Sequence, residues 1–234
     1  MKKLLLFDID GTILNMKKGV SKNIFIDTFF DIYDKKLTIE QMPIFSGNTD
    51  LQILQSMAEA VGLDGKLIAP KLDDFWQLKL TRFKEYCTPD YIDLIPGVDL
   101  LISDLKKGDE YEIALLTGNS ELNAKQKLSS HKLDSYFSCG AYGCDSPVRS
   151  DLPPLAIDRV NNFTHQKLYD FENSIIIGDT LADIKAAKDN GMNVMIVADN
   201  EKFDLFRENK SDSLVNDFTD MDYFYSEIER ISSK

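Results

Sequence analysis

Most of the residues able to do chemistry are acids that follow apolar runs. Asp8-Ile9-Asp10-Gly11-Thr12 comes straight after Leu4-Leu5-Leu6-Phe7, and Asp179-Thr180-Leu181-Ala182-Asp183 comes after Ile175-Ile176-Ile177-Gly178. Side chains two apart on an extended chain point the same way, so Asp8 and Asp10 can face one spot. Gly11 then lets the backbone turn sharply toward a ligand, with the Thr12 hydroxyl at the same turn. Paired carboxylates repel unless a cation or a shared proton intervenes; a hard divalent ion with oxygen ligands, magnesium first, is the natural partner. Asp183 stands four residues after Asp179, a spacing that puts both on one face of a first helical turn, aimed at one cation or at an arginine. The plainer alternative is that these aspartates end strands and cap the segments that follow.

Two further stretches offer anion-binding groups. Thr117-Gly118-Asn119 ends the run Ile113-Ala114-Leu115-Leu116. The Thr117 hydroxyl can donate to a phosphoryl oxygen, and Gly118 with the following helix start supplies N–H groups, although Thr-Gly-Asn is also an ordinary turn. Arg149 lies before Pro153-Pro154. Its guanidinium can clamp phosphate through two parallel hydrogen bonds; the alternative is a surface arginine paired with Asp145 or Asp151.

The elements that must position these groups are readable as well. Apolar runs that stop at polar tips read as buried parallel strands, and residues 193–198 and 214–215 add two more. Helices fall between them, the last carrying Met221, Phe224, Tyr225, Ile228 and Ile231 on one side. Strand alternating with helix implies an α/β fold, a doubly wound parallel sheet with right-handed crossovers and a ligand site at the carboxyl ends of the strands. Residues 15–94 interrupt this plan with helix after helix. Ser21 is the expected N-cap of a helix bearing Ile24, Phe25, Thr28, Phe29 and Ile32. Thr49 and Gln52 form a capping box before Leu51, Leu54, Ala58 and Val61, with Gly62 as the stop. A third helix near Pro70 presents Leu72, Phe75, Trp76, Lys79 and Phe83, and a helix after Gly97 is expected to end at Gly108. The reading is a core of residues 1–14 and 95–234 carrying an inserted helical cap, residues 15–94.

The four stretches together resemble the motifs of the haloacid dehalogenase-like hydrolases, in the branch of phosphoglycolate phosphatase and beta-phosphoglucomutase. The resemblance implies a Rossmann-like core, with Asp8 as nucleophile forming an aspartyl-phosphate and Asp10 as general acid and base, its pKa raised for the task. It implies Thr12, Thr117, Gly118 and Asn119 around the phosphate, and Mg2+ held by Asp8, Asp179 and the backbone carbonyl of Asp10, with Asp183 supporting the metal site. Family members usually carry a lysine before the proline of the third motif; this chain has none there, and Arg149 is its nearest substitute. Phe45-Ser46-Gly47-Asn48-Thr49-Asp50 resembles a cap segment that reaches toward the active site, and Pro96-Gly97 the return to the core. The implied function is a phosphatase acting on a small phosphorylated metabolite. A phosphomutase resembling beta-phosphoglucomutase, or a non-catalytic binding protein on the same fold, are the alternatives.

Length and composition set outer bounds. The 234 residues, 43% hydrophobic and 28% charged, suit one large domain with an insertion. A net charge of −12 argues against nucleic acid and repels phosphorylated ligands at long range, so local cations must reverse the field at the site. No apolar run is long enough to span a membrane, and the Lys2-Lys3 start is cut off by Asp8 too early for a signal peptide, so a cytoplasmic location is expected. Cys87, Cys139 and Cys144, with only His131 and His165 to assist, read as reduced structural thiols. Nothing in the sequence sets an oligomeric state.

Overall fold

In the computed structural model, which describes residues 2–233, six parallel strands form one sheet. They are β1 (Lys3–Phe7), β4 (Tyr111–Leu116), β5 (Gly140–Ala141), β6 (Ser174–Gly178), β7 (Asn193–Val197) and β8 (Ser213–Val215), and their order across the sheet is β5-β4-β1-β6-β7-β8. The first strand in sequence is thus central, with Phe7 level with Leu115 of β4 on one side and Ile177 of β6 on the other. All three strands run out at the same edge of the sheet.

Alternation along β1 explains why four apolar residues in a row are needed there. Leu5 and Phe7 enter a core that includes Leu101 and Ile102 of α4 (Val98–Leu105) and Phe224 and Ile228 of α9 (Met221–Ser232). Leu4 and Leu6 enter the core on the other face, with Leu152 and Ala156 of α6 (Leu152–Phe163) and Ile184 of α7 (Leu181–Asp189). A strand covered by helices on both faces has no solvated side, hence no polar alternation. Pro153 and Pro154 open α6 as expected.

The chain leaves and re-enters the sheet region through a small antiparallel ladder, β2 (Leu14–Met16) on β3 (Ile92–Leu94), which three-residue strands leave without any legible periodicity. Beyond it lie α1 (Val20–Tyr33), α2 (Asp50–Ala60) and α3 (Leu72–Phe83). They share a core of their own that includes Phe25, Phe29, Ile53, Leu54, Met57 and Phe75. Two helix boundaries differ from expectation. The N-cap of α1 is Gly19 at φ 88°, not Ser21, whose hydroxyl instead donates to Met16 Sδ at 3.4 Å. The helix after Gly97 stops at Leu105, short of Gly108. Thr49 does cap α2, accepting from the Gln52 N–H at 3.1 Å.

Candidate active site

The tips of β1, β4 and β6 open onto a cavity of about 310 Å³, and the helical segment closes its far side. Asp8 clears the end of β1 with its backbone N–H still bonded to Ile177 O (2.9 Å). Its carboxylate accepts from Ile9 N–H (2.7 Å) and from Arg149 (2.7 Å). Arg149, buried, also grips Asp183 Oδ1 through Nη2 (2.5 Å) and Nε (3.2 Å), while Asp145 and Asp151 bond to Arg159 and Ser146. The arginine therefore belongs to the cavity and not to the surface. Asp183 is fully buried; its Oδ2 accepts from the Asp179 and Thr180 N–H groups, a capping box that starts α7 and fixes Asp179 at the strand tip.

Asp8, Asp179 and Asp183 each offer one carboxylate oxygen such that all lie within 4.8 Å of one another. Asp179 Oδ1 is buried without a hydrogen-bond partner. Burial, reinforced by the Asp183 and Asp8 charges, pushes the Asp179 carboxyl up to about 9. Burial also pushes Asp8 up to about 6, with Arg149 pulling the other way. Three acids sharing one volume, one of them with an orphaned oxygen, are a donor set of the hardness and charge that a divalent oxygen-seeking cation requires. Gly11 makes the approach feasible: it sits at φ 82°, and a Cβ there would run into the Asp179 carboxylate.

Asp10 turns away from this trio. Its carboxylate opens onto the cavity and accepts from Lys127 Nζ at both oxygens (2.8 and 2.7 Å) and from Asn119 Nδ2 (2.7 Å). Burial would raise its pKa, but the Lys127 charge and the hydrogen bonds from Lys127 and Asn119 outweigh burial and hold it below the usual carboxylate range. The expectation of a raised Asp10 pKa is thus reversed. Asn119 belongs to the same network, donating to Asp10 and to Thr117 Oγ1 and accepting from Lys127. Gly118 lines the cavity, whereas Thr12 and Thr117 are wholly buried behind its wall, Thr12 with an unpartnered hydroxyl.

Sequence reasoning passed over Lys127, and a signal for it exists. It shares the inward face of α5 (Glu121–Ser129) with Asn123, Ala124 and Leu128, and a lysine in a buried stripe demands a partner. Lys79 is a second such lysine. From α3 it pairs with Asp50 at the start of α2, its Nζ 4.0 Å from the centre of the Phe25 ring, and burial lowers its pKa to about 8 against the pull of Asp50. Asp50 also accepts from Ser120 N–H (2.7 Å), and the Asp50 and Leu51 N–H groups donate to Gly118 O (2.7 Å) and Gly143 O (2.9 Å). The amino end of α2 is thereby fastened to the loops beyond β4 and β5. Gly118 permits this, since any Cβ there would strike Asn48 O.

Comparison with known proteins agrees with this geometry. Among curated proteins, the probable phosphatase IndB of Dickeya dadantii (strain 3937) is 26% identical over 202 residues, 82% of this chain and 79% of that protein. Among solved structures, beta-phosphoglucomutase (pgmB) from Clostridium difficile superposes with a TM-score of 0.72 at 15% identity, covering 100% of both chains. CbbY from Rhodobacter sphaeroides, solved in complex with phosphate, does so with a TM-score of 0.68 at 20% identity, over 94% of this chain and 96% of that one. The sequence pattern of one family, described as haloacid dehalogenase-like hydrolase, matches residues 5–197. With its six-stranded parallel sheet and its acids gathered at the strand tips, the chain belongs to the haloacid dehalogenase-like hydrolases.

Proposed function

We propose that this hydrolase is a Mg2+-dependent phosphatase that cleaves a small phosphomonoester through an aspartyl-phosphate on Asp8. The observation that carries the reading is the Asp8 carboxylate at the tip of β1, flanked by the guanidinium of Arg149 and by the orphaned Asp179 oxygen, and facing the cavity. The name of the curated relative, a probable phosphatase, supports the same class, and the CbbY structure was solved with phosphate bound.

Asp8 attacks phosphorus in line. A bond forms from the carboxylate oxygen as the bond to the ester oxygen breaks, and the departing alkoxide takes a proton. Water then attacks the aspartyl-phosphate, giving inorganic phosphate and free Asp8. Asp10 is the group that moves protons. The proton bound for the leaving oxygen comes through the Asp10–Lys127 pair, and in the second half Asp10 accepts one from water and returns it to the pair. Arg149 binds phosphoryl oxygens and replaces the usual lysine of the third motif. Gly118 N–H and Asn119 border the same space, and the buried hydroxyls of Thr12 and Thr117 support that wall. Asp8 and Asp179, with the main chain of Asp10 and with Asp183 behind them, would hold the cation. When bound it supplies charge neutralisation for the phosphoryl oxygens. Residues 15–94 act as the cap that excludes bulk water, over a core of residues 1–14 and 95–234.

The test is a phosphate-release screen over small phosphorylated metabolites, with and without Mg2+, alongside Asp8→Asn. Phosphate formed in proportion to substrate lost, abolished in Asp8→Asn and by chelation, is the expected result. Conservation of the ester in a rearranged product would make the protein a mutase, and turnover unaffected by Asp8→Asn would end the proposal.

A further inference from the structure

Every cation that lines the cavity is already spoken for. Among the described residues these are Lys79, Lys127 and Arg149. Lys79 is paired with Asp50, Lys127 with both oxygens of Asp10, and Arg149 with Asp8 and Asp183, and all three side chains are buried, with 1%, 3% and 6% of their surface exposed. Once the phosphoryl group and the cation have engaged Asp8, Arg149 and Asp179, Lys79 remains bonded to the buried Asp50 and Lys127 to both oxygens of Asp10, whose side chain is 44% exposed. A second anionic group on the substrate would have to take one lysine from its carboxylate. Taking Lys79 would leave Asp50 buried without its cation, and taking Lys127 would leave Asp10 unpaired beside Asp8 and Asp179, so either exchange is costly.

The rest of the lining is neutral. Phe25, Phe45, Ile53 and Phe83 provide an apolar wall, with Phe25 and Phe45 in edge-to-face contact at 5.3 Å between ring centres. Asn15, Ser21 and Ser46 provide uncharged polar groups. At about 310 Å³ the space lies at the small end of ligand sites, which run from about 300 to 1,000 Å³.

Resting on the phosphatase reading above, we propose that the substrate is a monoester with a single anionic group, the phosphate, on an uncharged alcohol with an apolar face. Substrates with a carboxylate or a second phosphate on the leaving group are rejected, because Lys79 and Lys127 serve Asp50 and Asp10 and not the ligand. The apolar wall favours a ring or a hydrocarbon face on the alcohol, and the amide and hydroxyl groups accommodate hydroxyls on it.

Matched pairs test this with the intact protein. Phosphate release in Mg2+ is compared for benzyl phosphate against its 4-carboxylate, and for 2-hydroxyethyl phosphate against 2-phosphoglycolate. Affinities for benzylphosphonate and its 4-carboxylate, which are not hydrolysed, are measured by calorimetry. The neutral member is expected to be favoured at least tenfold in kcat/KM and in affinity, and benzyl phosphate to exceed methyl phosphate. Equal or better handling of the carboxylated members overturns the inference while Asp8-dependent turnover leaves the phosphatase reading standing. A neutral preference in binding without turnover overturns the phosphatase reading alone, and failure of both phosphonates to bind overturns the two together. Asp50→Asn, which releases Lys79, is expected to narrow the gap by improving the carboxylated ligand; an unchanged gap in a folded variant shows that Lys79 is not withheld by Asp50 and counts against the inference.

Discussion

Lys127 Nζ sits 2.8 and 2.7 Å from the two carboxylate oxygens of Asp10, a residue 117 positions away in sequence, and 2.8 Å from Asn119 Oδ1. Because it holds Asp10 below the ordinary carboxylate range, it sets the protonation state of an acid that lines the cavity outside the Asp8–Asp179–Asp183 cluster. Replacing Lys127 by Met removes that hold, so the Asp10 carboxyl titrates higher. The limb of the kcat/KM profile that reports Asp10 is expected to move to higher pH, with kcat down about 10²-fold, the lower range for a lost acid–base group. A pH profile of Lys127→Met superimposable on that of the natural protein would contradict the pairing.

Asp8→Asn is expected to lower kcat by at least about 10³-fold, since a carboxamide is not a nucleophile. The protein should remain folded, because Arg149 keeps its two bonds to Asp183 and the Ile9 N–H can still bond to the amide oxygen. Circular dichroism melts alongside the phosphate-release assay read both quantities.

Mg2+ should stabilise the protein more as pH rises. The folded, metal-free chain holds the Asp179 proton up to about 9, whereas the unfolded chain releases it near 3.8. Between those values the folded state binds more protons, so the stability contributed by this group falls with increasing pH. A bound cation displaces the proton and removes the penalty. At 100 times Kd it contributes about 2.7 kcal/mol, roughly 5–10 °C in Tm for a chain of this size. Asp179→Asn is expected to raise the metal-free Tm above pH 7 and abolish the Mg2+ shift. A Mg2+-induced shift that survives this substitution would place the cation elsewhere.

Lys79→Met leaves Asp50 buried with only the Ser120 N–H for support and should cost about 3–5 kcal/mol. The double variant Lys79→Met/Asp50→Asn is expected to recover most of that loss, and a thermodynamic cycle from denaturant melts gives the coupling. Additive losses would mean that the two side chains do not depend on each other.

What the sequence discloses follows from how local each signal is. β1 and β6 are legible because a strand buried on both faces must be apolar throughout, and the acids at their ends because charge after such a run stands out. Gly11 is legible as a turn, though not as the gap that admits Asp179, which arrives from a different part of the chain. Lys79 is legible as a member of the apolar side of its helix but not as the partner of Asp50, 29 residues distant, and Lys127 escapes because a lysine on a helix reads by default as solvent-facing, its partner Asp10 lying 117 residues away. The sign of the Asp10 pKa shift escapes for the same reason. The three-residue strands of the β2–β3 ladder are too short to show alternation.

Main-chain groups, not side chains, carry the two bonds that run from the start of α2 to Gly118 and Gly143. Mutation at Leu51 replaces a side chain yet leaves its N–H donor in place, so these two main-chain bonds are insulated from drift in the residues that face the cavity. Phe25, Phe45 and Ile53, which line the cavity, take no part in either bond, so the shape of the cavity wall and the attachment of α2 are set by separate groups.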